Sequence, residues 1–354
     1  MLNILAPTNN PKEVKLLIES GARELYCGVL SDEWHKSYTN IGSINRREFK
    51  VSNLKTFDEL RQTVKTAHSY NVPVFLTMNA FYSKDQFELV VRETQKAYEC
   101  DIDAVIVADM NLLLKIREIN PDIDLHVSSG ATLFNSGAVK FYKHNKVKRV
   151  ILPRHLTLNE IKEMSKINGI EKEVFIMNTK CMNIDGFCTF QHGLNEIKNK
   201  KIGNIMKKMH FDNLLSNLMT SSPNISNYII GKGLLGSTSA CCLEYDVELG
   251  ENSTKSHVIN PLEIKENIKH NIGPRQLLNH CGACELYDFN NMNIDSIKIV
   301  GRQNPTKKKI KDIIMLKKSI DLIETCNSKD NFRQICKKNY NNVYSYSCKD
   351  MCYY

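Results

Sequence analysis

Long hydrophobic runs are missing from this 354-residue sequence. A bilayer-spanning helix needs about 20 predominantly apolar residues in a row. No stretch approaches that length, so membrane insertion is not expected. Met1 leads directly into Leu-Asn-Ile-Leu-Ala-Pro, with no basic segment ahead of an apolar one. No secretory signal is read there, and a cytoplasmic location is expected. Glycine and proline are sparse, at 16 and 9 residues, which excludes a collagen-like or low-complexity chain. Two hydrolase signatures are missing as well. Without a Gly-x-Ser-x-Gly elbow or a His-Glu-x-x-His helix, neither an α/β-hydrolase serine nor a metalloprotease zinc site is written locally.

What is present is a globular composition, 42% hydrophobic and 25% charged. The length supports a self-sufficient core, so cysteines are not needed as staples. Yet there are 12 of them. In a reducing compartment such a number points to metal binding or catalysis rather than disulfides. Cys27, in the apolar run 25–29, and Cys100, at the end of a helical pattern, read as core fillers. The net charge is +9, with basic residues gathered at 198–208 and 301–338. Lysine outnumbers arginine, and asparagine and isoleucine are frequent, as an AT-rich coding bias produces. The charge permits an RNA partner, while a solvated basic face is the commoner reading.

Short apolar runs alternate with helical patterns. Strands are predicted at 3–7, 24–28, 72–79, 104–108, 124–128, 149–152, 173–177 and 296–300. Helices are predicted at 11–20, 57–70, 84–100, 111–119, 135–144, 157–166 and 305–326. Continuous apolar runs such as Ala104-Val-Ile-Val-Ala108 indicate strands covered on both faces. Eight of them alternating with helices predict a (β/α)8 TIM-like barrel over 1–326, a doubly wound sheet being the alternative. The excursion 178–295 interrupts the rhythm after the seventh strand. In a barrel it emerges at the face where active sites are built. Its Asn-, Lys- and Ser-rich part, 193–236, reads as an insertion or lid. Residues 327–354 read as a polar, Cys- and Tyr-rich tail outside the barrel.

Six cysteines lie inside the excursion: Cys181, Cys188, Cys241, Cys242, Cys281 and Cys284. Thiolates are soft donors, and four of them suit a [4Fe–4S] cluster or a tetrahedral zinc. Gly186 and Gly282 allow tight turns beside them. Structural zinc usually pairs one Cys-x-x-Cys with another, and only Cys281–Cys284 has that form here. The Cys-x-x-x-Cys-x-x-Cys run of radical S-adenosylmethionine enzymes is missing. The residues themselves leave iron–sulfur, zinc and unligated thiols open.

The segment Glu173-Val-Phe-Ile followed by Cys181, Gly186 and Cys188 resembles the signature of peptidase family U32, the collagenase-like proteases. That signature runs Glu-x-Phe, several residues, Cys, six residues, Cys. The resemblance continues through Asn3-Ile-Leu-Ala-Pro and through Glu19-Ser-Gly-Ala22 with Leu25-Tyr-Cys-Gly28. It extends to Ala67-His68, Asn79, Asp109, His126-Val-Ser-Ser129, Leu152-Pro-Arg154 and Ser296-Ile-Lys-Ile-Val-Gly-Arg302. Some members of this family are collagenase-like peptidases. Others hold a [4Fe–4S] cluster on four cysteines and support oxygen-independent hydroxylation of the ubiquinone ring, a tRNA wobble uridine or an rRNA cytidine, some with prephenate as oxygen source. The resemblance implies Cys181, Cys188, Cys242 and Cys281 as ligands, with Cys241 and Cys284 as alternates. Cys242 and Cys281 lie 39 positions apart, much as the third and fourth ligands do in the ubiquinone-pathway relatives.

Several functions follow from the resemblance. The chain is expected to take part in hydroxylation or modification of a small aromatic molecule or RNA base. A peptidase is the alternative, and a non-catalytic zinc or iron–sulfur partner subunit is a third reading, since some relatives work as heterodimers. A cluster accounts for four cysteines at once, whereas a protease nucleophile accounts for one. Asn79, Asp109, His126, Ser128 and Arg154 fall at predicted strand ends. Among them Arg154 is a candidate for holding a carboxylate such as prephenate's, and His126 for proton transfer, with Asp109 beside them. For each the plainer reading is a hydrogen-bonded residue of the barrel rim. The chain departs from the family where Met177-Asn178 replace His-Gly and where the insertion after Cys188 is longer. The tail adds Cys326, Cys336, Cys348 and Cys352. They read as reduced, solvent-facing thiols, with a second metal as the alternative.

Overall fold

The computed structural model describes residues 2–38, 44–47, 52–181, 184–187, 279–348 and 351–354. Its strands are β1 (Asn3–Pro7), β2 (Glu24–Cys27), β3 (Val74–Met78), β4 (Ala104–Val107), β5 (Asp124–Val127), β6 (Arg149–Ile151), β7 (Glu171–Asn178), the short β8 (His280–Cys281) and β9 (Ser296–Ile299). Parallel pairs run from β1 in sequence to β7, then to β9, and β9 returns to β1. This is the closed eight-stranded (β/α) barrel that the strand count predicts. The helices are α1 (Val14–Glu19), α2 (Asp32–Tyr38), α3 (Phe57–His68), α4 (Lys84–Tyr98), α5 (Met110–Ile119), α6 (Ser136–His144), α7 (Leu158–Ser165), α8 (Leu286–Asn291), α9 (Thr306–Ile320) and α10 (Lys329–Tyr344).

The pleat explains why the strands read as unbroken apolar runs. Leu5, Tyr26, Phe75, Ile106, Ile151 and Phe175 point inward and pack against one another. Their neighbours Ile4, Leu25, Leu76, Val105, Val150 and Val174 point outward into the layer shared with the helices. Both faces are therefore dry. β3 begins at Val74 rather than at the predicted residue 72, because Pro73 has no N–H for the ladder. Helix starts follow local chemistry. Thr157 and Glu160 form a capping box at α7, and the Asp109 carboxylate accepts the Leu112 amide at the start of α5.

Toward the N-terminal ends of the strands the barrel holds an ion layer. Arg149 grips Glu24 with two prongs of 2.7 Å and reaches Glu171 at 2.7 Å and Glu173 at 3.3 Å. Lys298 donates to Glu173 at 2.7 Å and Ser296 to Glu24 at 2.7 Å. Aromatic rings cover the cations, with Arg149 5.3 Å from the Phe75 ring and Lys298 4.3 Å from Tyr26.

Four elements lie outside the sequence prediction, the short α8 before β9 among them. α2 inserts Trp34 into the core within the β2–α3 connection. β8 adds an antiparallel pair to the end of β7, Met177 opposite Cys281. The fourth is α10, which falls in the predicted polar tail. It begins at Ser328, whose hydroxyl accepts the Asn331 amide, and it buries Phe332, Cys336 and Tyr340. Those positions are four apart, so one helical face packs inward while the rest of the segment stays polar. The expectation of solvent-facing tail thiols is corrected accordingly. Cys326 and Cys336 are buried, Cys348 is half-buried, and Cys352 alone is exposed. The predicted lid, 193–236, lies outside the described residues.

Candidate functional site

The C-terminal ends of the strands form the mouth of the barrel. Arg302, just beyond β9, turns inward over it and is 6% exposed. Its guanidinium donates to Thr77 Oγ1 at 2.9 Å, Asn53 Oδ1 at 3.2 Å, Asn45 O at 3.2 Å and Asn45 Oδ1 at 3.0 Å. All four acceptors are neutral, and burial lowers the guanidinium to about 10. The conformation needs Gly28, since a Cβ there would overlap the guanidinium and the Asn45 amide and stand 2.5 Å from Asn53 Oδ1. Arg47 is close by; burial and then Arg154 push it below its ordinary value. The mouth is a cationic place.

Arg154 follows β6 and is fully engaged. Nη2 and Nε bind the two Asp185 oxygens at 2.7 and 2.9 Å, and the Arg154 amide donates to the same carboxylate at 3.0 Å. Burial alone would raise the Asp185 carboxyl, but Arg154 holds it below the usual carboxylate range. The pair fastens the turn between Cys181 and Cys188. Gly186 makes that turn at φ +82°, where a Cβ would stand 2.7 Å from the Thr132 amide nitrogen. The carboxylate expected from a ligand is thus supplied to Arg154 by the chain itself.

The other predicted polar residues are spread out. Asp109 caps α5 and also accepts the Tyr82 amide at 3.2 Å. Asn79 donates to Ser128 at 3.3 Å, leaving its own buried Oδ1 without a hydrogen bond. His126 lies inside the barrel at the ion layer, its ring 4.5 Å from Phe75. Burial, then Arg149 and Lys298, hold it well below its ordinary value, and its Nδ1 makes no hydrogen bond. Such a histidine is neutral in the folded protein. Its contribution to stability is complete above its unfolded value near 6.5 and is lost as pH falls below it, by up to about 1.4 kcal/mol per pH unit. Urea unfolding of wild type and His126→Phe at several pH values should show the gap between them shifting in the variant's favour on acidification. Parallel curves would refute this reading.

Two of the four implied ligands are described. Cys181 follows β7 and is half-buried; Cys281 lies on β8, opposite Met177. Cys281 is thus on β8 and Cys181 just past the end of its neighbour β7, both at the mouth end. Burial pushes the Cys281 thiol well above its ordinary value, so a thiolate there calls for a cation, as a metal or cluster supplies. The soft donors and their location fit an iron–sulfur group. Cys188, Cys241 and Cys242 lie outside the described residues. Among the described residues no three His, Cys, Asp or Glu side chains already converge as a metal site.

No sequence signal pointed to Tyr353. It is 0% exposed and joins the inward-facing cluster of Leu5, Tyr26, Phe75 and Phe175. Lys180 donates to its carbonyl, Tyr353 Oη to Thr179 O at 3.4 Å, and Tyr354 Oη to Phe175 O at 2.7 Å. The tail therefore caps the mouth.

The basic run 301–338 is partly internal. Lys309 is buried on Glu13 at 2.8 Å, and Lys308 binds Asn178 at 2.7 Å. No helix among the described residues is long and apolar enough to cross a membrane.

Comparison with known proteins yields relatives over about half of the chain. Identity is 28% over 194 residues with the tRNA hydroxylation protein P of Haemophilus influenzae, covering 54% of this chain and 39% of the relative. It is 32% over 196 residues with an uncharacterized protease of Methanocaldococcus jannaschii, covering 53% and 43%. It is 27% over 192 residues with the 23S rRNA 5-hydroxycytidine synthase of Escherichia coli, covering 54% and 26%. The chain thus spans less than half the length of these relatives. The family model of peptidase family U32 matches residues 9–208, more than half of the chain. With the Cys181 signature turn fastened at the mouth of a closed barrel, this chain belongs to peptidase family U32.

Proposed function

We propose that this chain takes part in oxygen-independent hydroxylation of an RNA base, with a [4Fe–4S] cluster on Cys181, Cys188, Cys242 and Cys281. The observation that carries the reading is the similarity to proteins named for tRNA hydroxylation and rRNA hydroxycytidine synthesis. The placement of Cys181 and Cys281 at the barrel mouth supports it. When bound, the cluster supplies a one-electron couple beside the substrate.

The residues of the chain prepare the site. Arg154 and Asp185 are positioning residues that hold the turn leading to Cys188. Asp109 orients α5 and the Tyr82 backbone. His126 stays neutral beneath the aromatic layer and supports it from inside the barrel. Arg302 and Arg47 make the mouth attractive to an anion, so the carboxylates of a co-substrate such as prephenate, or an RNA phosphate, are drawn there. Tyr353 excludes water from the barrel interior. A heterodimer with another U32-family protein, in the cytoplasm, is the assembly the resemblance implies.

The test is anaerobic purification with iron and sulfide assay, followed by nucleoside mass spectrometry of tRNA and rRNA incubated with reduced protein and prephenate. Roughly four irons and four sulfides per chain are expected, lost in Cys181→Ala and Cys242→Ala together with the gain of one oxygen on a base. A protein without iron that still cleaves gelatin after both substitutions would establish the peptidase reading instead.

A further inference from the structure

The positive charge of the chain is concentrated on one pair of helices. α9 and α10 together carry ten lysines and arginines against two aspartates, a surplus of eight out of the net +9 of the whole sequence. The two helices pack side by side, with Tyr344 on α10 donating to Asp312 on α9. Other outer helices are balanced: α3 has two residues of each sign and α4 has three of each. A coding bias toward lysine acts on every helix alike, so it does not account for this difference.

Half of these cations serve the fold. Lys309 is buried on Glu13, Lys308 binds Asn178 and Asp312, Lys317 pairs with Asp321, Lys329 with Asp288 and Arg333 with Glu285. The remaining five, Lys307, Lys311, Lys318, Lys337 and Lys338, are exposed, and among the described residues none has an acidic partner. Lys307, Lys311 and Lys318 follow one another in steps of four and seven residues along α9, so they form a single outward row about 16 Å long. The helix itself gains nothing from that row. Like charges four residues apart repel. α9 also has no acidic residue in its first turn, where Lys307, Lys308 and Lys309 meet the positive end of the helix dipole. A row of cations that the fold disfavours, with no internal anion, is suited to an external one. Its near end is at the mouth. α9 starts at Thr306, four residues after Arg302, and Lys308 donates at 2.7 Å to Asn178, the last residue of β7 and three before Cys181.

We propose that Lys307, Lys311 and Lys318 form the track on which the sugar-phosphate backbone of an RNA lies while the base to be modified enters the barrel mouth. The inference rests on the RNA reading given above and adds the surface that holds the substrate. Lysines act as point charges on successive phosphates and carry no sequence readout. Arg302 and Arg47 continue the positive field into the mouth, so backbone and base are drawn to adjoining places. An anionic membrane presents the same kind of charge. RNA is favoured because Ile313, Met315 and Leu316 of α9 are buried against the barrel and so are not offered to a bilayer.

The experiment is fluorescence anisotropy of the full chain with a labelled single-stranded oligoribonucleotide of mixed sequence, over a series of salt concentrations. Two triple variants are compared with wild type. One combines Lys307→Gln, Lys311→Gln and Lys318→Gln. The other combines Lys15→Gln, Lys115→Gln and Lys166→Gln, at exposed lysines that pair with Glu19, Glu118 and Glu163. Both lose the same charge, and glutamine keeps the helix propensity of lysine, so circular dichroism should match in all three proteins. Each phosphate contact on a single strand contributes about 0.7 to the slope of log affinity against log salt. Removing three should flatten the slope by about 2, so that between about 50 and 200 mM salt wild type loses roughly twentyfold more affinity than the row variant. The second variant should follow wild type. Equal slopes for the two variants overturn the track and leave the RNA reading standing. No RNA binding by wild type overturns both. Binding to phosphatidylserine vesicles that is lost in the row variant, with RNA binding unchanged, overturns the track in favour of a membrane surface. Wild type that binds RNA through the row yet adds no oxygen to a base supports the track and defeats the hydroxylation reading alone.

Discussion

Arg149→Met is expected to lower the unfolding free energy by about 3–5 kcal/mol. Among the described residues, Arg149 is the one side chain that reaches Glu24, Glu171 and Glu173 together. Glu24 and Glu173 are both buried inside the barrel. Removing the guanidinium leaves Lys298 as the remaining cation bonded to Glu173, with Glu24 bonded to neutral Ser296 and Asn3. A buried carboxylate without a cation is the expensive case, far more so than a surface pair, where the same truncation costs at most about 1 kcal/mol. The rest of the network supplies the control. Glu24→Gln in the Arg149→Met background should recover a large part of the loss, because it removes the uncompensated charge rather than adding a contact. Denaturant unfolding of the two single variants and the double variant measures this coupling. Additive losses would sink the ion-layer account.

Gly28→Ala should cost about 2–4 kcal/mol, an unusual penalty for one methyl group. The added carbon occupies the space through which Arg302 reaches Thr77 and the two asparagines. Either the guanidinium leaves its four acceptors or the 44–47 and 52–54 segments shift away from the mouth. The first outcome breaks hydrogen bonds to a charged group, each worth about 1.5–3 kcal/mol. The second overpacks the rim. Because the penalty acts through Arg302, Gly28→Ala should cost much less in an Arg302→Ala background. A penalty of equal size in both backgrounds would assign the glycine a purely backbone role. Since Arg302 contributes to the positive field at the mouth, the single variant should also weaken binding of a dicarboxylate, measurable by calorimetry.

Much of the architecture was legible along the chain. Each barrel strand is a short apolar run bounded by turn residues, and all but the seventh are followed by a pattern of period 3.6, so local information suffices to count eight strands and to find the excursion after the seventh. The cysteine pair of the signature turn and the glycine inside it were equally local. Three features escaped for a common reason. α10 hides an inward face of Phe332, Cys336 and Tyr340 within an otherwise polar segment. β8 is two residues long, too short to carry a period. Tyr353 enters the barrel from a stretch whose composition reads as tail.

The polar residues show the same division. Sequence position placed Arg154, Asp109 and His126 near the barrel mouth, but each side chain's task depends on partners far away along the chain. Asp185, thirty-one residues on, claims Arg154. The Leu112 amide claims Asp109. Burial inside the barrel, and then Arg149 and Lys298 brought in from β6 and β9, keep His126 neutral. The barrel and the positions of its strands are written in the sequence, because strand and helix periods are local properties of the backbone. Which charges meet is set by the folded barrel, because ion pairing there joins strands that are neighbours in space and distant in sequence. The fold likewise brings Cys352 beside Cys281, since that contact exists only when the tail folds back across the mouth.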